Sequence, residues 1–102
     1  MNLIEDNRQR IATLCRKHKV KSLAVFGSIL TDRFNENSDV DLLVDFEPVD
    51  LDKFDYVSNY FDLQDSLESV FNRKVDLVVG KGLKNKYFID NVNRTKLQIY
   101  GR

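Results

Sequence analysis

The sequence has few of the features that mark secreted or nucleic-acid-binding chains. It contains a single cysteine, Cys15, among 102 residues, and its formal net charge at pH 7 is zero. One cysteine excludes an internal disulfide, which suits a reducing compartment. Zero net charge gives no bulk attraction to nucleic acid, so a nucleic-acid-binding module is the least favoured class.

Long apolar runs and a cleavable leader are also missing. No apolar stretch approaches the roughly 20 residues of a membrane-spanning helix. The first ten residues, MNLIEDNRQR, are polar and already carry acids, unlike a signal peptide. We therefore expect a single cytoplasmic domain over residues 1–102, large enough for a hydrophobic core but near the lower end of domain sizes.

The most informative stretch is residues 25–44, in which a polar loop joins two strand-like apolar runs. In the second run Asp39 and Asp41 alternate with apolar residues, and alternate residues of a strand share one face. Two carboxylates on one face repel each other unless a cation lies between them. A hard divalent cation such as Mg²⁺, which prefers carboxylate and phosphate oxygens, is the natural partner.

Gly27 and Ser28 directly follow the first apolar run. Glycine lets the backbone approach a bulky anion, and a short helix beginning at Ser28 would direct free N–H groups at a phosphate. The Ser28 hydroxyl adds a further donor. Together with the aspartates, this turn predicts a site for a metal-bound triphosphate.

Hydrophobic periodicity predicts the remaining elements. Helices are expected over residues 2–17, 51–71 and 84–96, and strands over residues 22–26, 40–46 and 74–79. Asp50 or Asp52 could cap the second helix, and Asn72 could end it in the left-handed conformation. Because that helix is long enough for a crossover, the strands that it joins could run parallel. The expected fold class is α+β, a small mixed three-stranded sheet flanked by helices.

Two side chains near the end of the first helix have structural rather than chemical roles in this interpretation. Cys15 lies on the apolar face of the helix and is expected to be a small core residue. His18 follows two basic residues and is expected to be solvated. A metal role is not expected for it, because no second His or Cys lies at ligand spacing.

Asp76 is a third carboxylate on a predicted strand that otherwise consists mainly of valine and leucine. An unpaired acid is costly to bury, so three such acids and a Gly-Ser turn favour a functional site. Two-metal nucleotidyl transfer uses two carboxylates that bridge the metals and a third that binds only one. The alternative is a solvated strand end whose acids pair with Lys21, Arg73 or Lys74.

The spacing of the Gly-Ser turn and the aspartates also carries a family resemblance. Gly27-Ser28, ten further residues and Asp39-Val40-Asp41 resemble the GSx10DxD signature of the polymerase-β-like nucleotidyltransferases. Residues 73–78, RKVDLV, are similar to a later segment of that family. The small size and the near-terminal Ile99-Tyr100-Gly101 resemble the minimal nucleotidyltransferase (MNT) branch, which implies a polymerase-β-like nucleotidyltransferase core.

The resemblance implies roles for six residues. Three would bind the nucleotide: Gly27, Ser28 and Ser38. Three would be catalytic residues and Mg²⁺ ligands: Asp39, Asp41 and Asp76. The first two aspartates would share the metal, and the third would help to activate the acceptor.

One position departs from the family pattern. Many relatives carry Arg-Gly shortly after the Gly-Ser pair, where this chain has Thr31-Asp32. The departure removes a phosphate-facing cation, for which Arg33 is the nearest substitute.

The resemblance implies an enzyme that modifies another protein. MNT proteins are antitoxins that transfer AMP from ATP to a tyrosine of an all-helical HEPN-domain RNase toxin. The first hypothesis is therefore a Mg²⁺-dependent protein adenylyltransferase antitoxin. Its partners would be ATP and a HEPN-domain toxin, with neither a membrane nor nucleic acid as a direct partner.

Two other functions stay open. The chain could neutralise a toxin by binding alone, which the Thr31-Asp32 departure favours and the complete set of aspartates opposes. It could also transfer a nucleotide to a small hydroxylated acceptor, although larger relatives with such substrates carry an additional domain. Replacing Asp39 and Asp41 by asparagine separates the first two hypotheses, because only an enzyme would lose neutralisation.

Overall fold

The described part of the chain folds into three α-helices and four strands joined by turns and loops. The computed structural model describes residues 3–101, and its elements in order are α1 (Arg8–Lys17), β1 (Val20–Phe26), β2 (Val40–Phe46), α2 (Tyr56–Phe71), β3 (Val75–Val79), α3 (Lys86–Thr95) and β4 (Leu97–Gly101). Short 3-10 segments lie at Glu5–Asn7, Gly27–Leu30 and Gly80–Gly82. Within residues 3–101, none of the helices is long and apolar enough to cross a membrane.

The four strands form one mixed sheet in the order β3-β2-β1-β4. β1 is antiparallel to both of its neighbours, and β2 and β3 are parallel, as expected for strands that a helix connects. The α+β class is confirmed, but the expected count of three strands was wrong because Leu97–Gly101 pairs with β1 as a fourth, edge strand. Only Ile99 of this strand is buried, so its sequence lacks the apolar run that marks the inner strands.

Helices cover both faces of the sheet. The larger core contains side chains of α1, α2 and one face of the strands, among them Ile11, Leu23, Val25, Val40, Leu42, Val44, Leu63 and Leu67. A smaller cluster on the opposite face joins Ala24, Phe26 and Leu43 to Val92 of α3. Since residues alternate between faces along a strand, Asp41 lies on the face of Leu43 and α3.

The long helix α2 begins later than predicted. It starts at Tyr56, because Asp55 caps it: the Asp55 carboxylate accepts a hydrogen bond of 3.0 Å from the Ser58 N–H. The expectation that Asp50 or Asp52 caps the helix was therefore wrong. Residues 51–53 form a turn instead, with the Leu51 side chain 71% exposed. The helix ends at Asn72 in the left-handed conformation, with φ of 54°, as predicted.

The first and last helices are also shorter than predicted. α1 begins at Arg8 after the 3-10 turn Glu5–Asn7, and α3 spans Lys86–Thr95. The predicted start of the first helix at Asn2 lies outside the described residues.

The two side chains near the end of α1 are both buried. Cys15 is fully buried, as predicted, and burial raises the pKa of its thiol to about 12. The expectation that His18 is solvated was wrong, since the residue is only 5% exposed. Its Nδ1 lies 2.8 Å from the Leu14 carbonyl oxygen, and its own carbonyl accepts a hydrogen bond from the Asn59 side chain of α2. Packing of α2 over the end of α1 therefore buries this histidine.

Candidate active site

The parallel pairing of β2 with β3 brings two of the predicted acids together. In this register Asp41 lies beside Asp76. On the other side, Asp41 lies beside Phe26, the last residue of β1 and the neighbour of Gly27. Asp39 comes one residue before β2 begins and is exposed, whereas Asp41 is half-buried. The strand ends therefore place all three aspartates and the Gly-Ser turn at one edge of the sheet.

The carboxylate of Asp41 is close enough to those of Asp76 and Asp39 to be repelled by both. The pKa of Asp41 is raised, first because the group is partly buried and then because of the negative charges of Asp76 and Asp39. Within residues 3–101, none of the three acids forms an ion pair with a lysine or arginine. The structure therefore does not support the alternative in which these acids pair with Lys21, Arg73 or Lys74.

A divalent cation would suit the chemistry of these acids, but their carboxylates are not arranged around a common metal position. In the described part of the chain, no group of three or more His, Cys, Asp and Glu side chains is arranged to hold a metal ion. Carboxylate oxygens with uncompensated repulsion are ligands that Mg²⁺ favours. Binding through all three acids would require some of their side chains to rotate, which exposed side chains do readily.

Gly27 is held against the carboxylate of Asp41. Its φ is +78°, in the left-handed region, and a Cβ at this position would lie 3.3 Å from the Asp41 Cγ. The backbone conformation and the lack of space therefore both require glycine here. The short helical turn predicted after Gly27 is present as the 3-10 segment Gly27–Leu30.

The Ser28 carbonyl closes this turn. It accepts hydrogen bonds from both the backbone N–H and the hydroxyl of Thr31, at 2.9 and 2.8 Å. The Thr31 Oγ1 in turn accepts the Arg33 N–H at 3.2 Å. Thr31 therefore stabilises the turn that the sequence assigns to the triphosphate, while supplying no positive charge.

Sequence reasoning missed the residue that fixes the loop before Asp39. The Arg73 guanidinium donates from Nη1 to the carbonyls of Asn35 and Ser38, at 2.9 and 3.0 Å. It also stacks over Phe34, with Cζ 4.6 Å from the ring centroid. The lone aromatic residue in this polar loop was the available signal, because arginine is a common partner of such rings.

Ser38 has a structural role within the same loop. Its hydroxyl accepts a hydrogen bond of 3.1 Å from the Asn35 N–H, and its own N–H donates to the Asn35 carbonyl. The loop is thus folded on itself immediately before Asp39, with the Ser38 side chain half-buried.

Comparisons with known sequences define the family. Residues 8–98 match the family described as "Nucleotidyltransferase domain". MJ0128 of Methanocaldococcus jannaschii, which carries the provisional name of a protein adenylyltransferase, is 35% identical over 92 residues, 90% of this chain and 89% of that protein. Protein adenylyltransferase MntA of Thermococcus cleftensis is 36% identical over 66 residues, 65% of this chain and 62% of that protein. The chain belongs to the nucleotidyltransferase domain family.

Solved structures share the fold. A protein described provisionally as a minimal nucleotidyltransferase is 29% identical, with a TM-score of 0.75 and coverage of 95% of both chains. A chain of a toxin–antitoxin crystallised with AMP-PNP has a TM-score of 0.72 at 24% identity, covering 94% of this chain and 74% of that chain. A chain from a complex of a tri-AMPylated Shewanella oneidensis HEPN toxin with an MNT antitoxin has a TM-score of 0.66 at 22% identity, covering 96% and 72%.

Proposed function

We propose that this chain is a Mg²⁺-dependent protein adenylyltransferase that acts as an antitoxin on a HEPN-domain toxin. The observation that carries the proposal is the placement of Asp41 beside Asp76, with Asp39 at the same edge and Gly27 against the Asp41 carboxylate. The names of the relatives support adenylyl transfer to a protein. The HEPN toxin complex with a chain of similar fold supports the partner.

In this proposal one set of residues binds the triphosphate and a second set binds the cation. Gly27, Ser28 and Ser38 lie at the triphosphate, where the absence of a side chain at Gly27 leaves room beside Asp41. Asp39, Asp41 and Asp76 supply carboxylates for a cation. When bound there, Mg²⁺ would neutralise charge on the phosphates and favour ionisation of the acceptor hydroxyl.

The reaction itself is a substitution at the α-phosphorus of ATP. A tyrosine hydroxyl oxygen of the toxin forms a bond to this phosphorus, and the bond to the oxygen bridging the α- and β-phosphates breaks. Pyrophosphate leaves with the electron pair of that bond. The phenolic proton passes to a carboxylate, for which we assign Asp76, the acid that is exposed on the edge strand β3, as the family resemblance implies.

The proposal is tested by the mass of the partner that co-purifies with the protein from its native host. Incubation with Mg·ATP should add one or more AMP-sized increments to the partner. The Asp39→Asn/Asp41→Asn variant should bind the partner without adding mass. Asp45→Asn is the matched control, because Asp45 lies further along β2, beside Gly80, and should leave the transfer intact.

Neutralisation by binding alone is the second candidate, and one observation favours it. The Thr31 side chain bonds the Ser28 carbonyl, so the position at which many relatives carry arginine offers no cation to the phosphates. A stable partner that gains no mass with either the wild type or the aspartate variant would support this second function and contradict the first.

A further inference from the structure

A cleft of about 890 Å³ opens on the sheet face that carries Asp41. One wall is the turn after β1 and the other is α3. The residues that line it include Phe26, Gly27, Asp41, Asn85, Phe88 and Asn91. The cleft therefore begins at Gly27 of the proposed triphosphate site and at Asp41 of the proposed cation site, and it extends along α3.

The lining of this cleft suits an uncharged ring. Among the described residues that line it, Asp41 is the one charged side chain and there is no lysine or arginine. Beyond Asp41 the wall is mainly apolar, and the rings of Phe26 and Phe88 pack edge to face with centroids 5.9 Å apart. A phosphate would find no positive side chain among these residues, whereas an aromatic ring would find apolar surface that includes the partly exposed ring of Phe88.

Carboxamides on α3 add hydrogen-bonding capacity to this apolar wall. The Asn85 Oδ1 accepts the Phe88 N–H at 3.1 Å and caps the helix, which leaves its amide N–H groups free to donate. The Asn91 side chain is exposed and has no hydrogen-bond partner among residues 3–101. A free carboxamide offers one acceptor and two donors in a plane, a pattern that matches the edge of a purine base.

We propose that this cleft holds the purine base of the nucleotide, with Phe88 contacting the ring and Asn91 hydrogen-bonding its edge. The inference rests on the proposed function, which places the triphosphate at Gly27 and Ser28, at the mouth of the cleft. The volume is within the roughly 300–1,000 Å³ of typical small-ligand sites. The phenol ring of an acceptor tyrosine has a single polar atom and would leave the two carboxamides without partners.

The test measures nucleotide binding by the purified protein rather than transfer. Titration calorimetry with Mg·AMP-PNP should give a dissociation constant that rises roughly fivefold to tenfold in Asn91→Ala, the loss expected for one hydrogen bond. Phe88→Leu should also weaken binding, and its fold should persist because Phe88 is 39% exposed. Both variants should reduce the preference for AMP-PNP over GMP-PNP.

Asn93→Ala is the matched control. Asn93 is an exposed asparagine on the same helix, but it lines a separate groove with Asp45 and Gly80. Its substitution should leave the dissociation constant and the base preference unchanged. If Asn91→Ala and Phe88→Leu behave like Asn93→Ala while the wild type binds AMP-PNP, the base lies elsewhere and the inference is overturned.

A second ligand, Mg·tripolyphosphate, separates this inference from the proposed function. It carries the phosphates without a base, so Asn91→Ala should bind it as the wild type does. The Asp39→Asn/Asp41→Asn variant should lose both ligands. A wild type that binds neither ligand would overturn the proposed transferase as well as the base site.

Discussion

Gly27 and Asp41 touch at the point where β1 ends and β2 begins. The left-handed backbone disfavours any other residue here, and a Cβ would lie only 3.3 Å from the Asp41 Cγ, so it would displace the Asp41 carboxylate. This contact explains why the turn and the DxD pair belong to one motif although ten residues separate them in the sequence. The glycine is required by the position of the carboxylate as well as by any bound phosphate.

Gly27→Ala should therefore damage stability and activity together. A left-handed alanine costs about 1–2 kcal/mol, and the displaced Asp41 carboxylate adds to this cost. We expect AMP transfer to fall at least about 100-fold, because the carboxylate proposed to bind Mg²⁺ is displaced. Urea unfolding and partner mass spectrometry measure the two effects.

Gly82→Ala is the control for this substitution, because a Cβ at Gly82 would meet no heavy atom of residues 3–101 within 4 Å other than those of Gly82 and its two chain neighbours. It should change the free energy of unfolding by less than about 1 kcal/mol. If both alanine variants keep full transfer activity, the contact with Asp41 has no part in the site.

Asp41→Asn should lower the activity and raise the stability of the folded protein. The raised pKa of Asp41 means that its ionised form is disfavoured in the folded state, so ionisation lowers stability as pH rises through the folded pKa. The variant should unfold at a higher urea concentration than the wild type at pH 7 without Mg²⁺. The difference should shrink as pH falls below the usual Asp range, where both side chains are neutral.

Added Mg²⁺ should make the wild type more stable than Asp41→Asn. It should raise the melting temperature of the wild type by binding the folded state and should have little effect on Asp41→Asn. A variant that is less stable than the wild type at pH 7 in metal-free buffer would contradict the repulsion described among the three acids.

Arg73→Lys should loosen the loop before Asp39. Lysine keeps the charge but has neither the planar fork that reaches the Asn35 and Ser38 carbonyls nor the same stacking on Phe34. We expect the free energy of unfolding to fall by about 1–2 kcal/mol and kcat to fall more than the nucleotide dissociation constant rises. Hydrogen exchange of the loop amides should accelerate.

Arg33→Lys is the corresponding control within the same loop, because the Arg33 side chain makes no hydrogen bond within residues 3–101. Its loop amides should exchange as in the wild type. Equal exchange rates in the Arg33 and Arg73 variants would show that Arg73 does not hold the loop.

Cys15 should be unreactive in the folded protein. Its pKa of about 12 leaves almost no thiolate at neutral pH, and the side chain is fully buried. A disulfide reagent at pH 8 should label the thiol only after unfolding in guanidinium. The unfolded thiol ionises from about pH 9 upward while the folded thiol does not, so this contribution to stability should be lost as pH rises from about 9 toward 12.

Cys15→Ala should abolish the loss of stability at alkaline pH, although the smaller side chain should reduce the packing energy of the core. The guanidinium midpoint measured from pH 8 to pH 10.5 distinguishes the two proteins. Rapid labelling of the folded wild type at pH 8 would contradict the buried position of the thiol.

The parts of the fold that follow a simple apolar alternation could be predicted from the sequence. β2 has the predicted bounds because Val40, Leu42 and Val44 are all fully buried while Asp41 and Asp45 face the opposite side. The left-handed Asn72 was predictable for a similar reason, since asparagine tolerates that conformation at the end of a helix.

The remaining features depend on contacts between segments far apart in the sequence. β4 is an edge strand with a single buried residue, Ile99, so its local pattern carries little information. His18 is buried by α2, and Arg73 reaches a loop more than 30 positions away, at Ser38. Apart from the lone aromatic residue Phe34 in that loop, nothing near these residues in the sequence indicates their partners.

The pairing of Asp41 with Asp76 restricts the length of the connection between α2 and β3, but it does not restrict the length of the loop before α2. Residues 72–74 join α2 to β3, and the Lys74 carbonyl already accepts the Val40 N–H at 3.0 Å. One residue inserted there would shift β3 by one position and turn the Asp76 side chain to the opposite face. The exposed loop at residues 47–55 lies before α2, so a short epitope inserted beside Leu51 should leave the transferase intact.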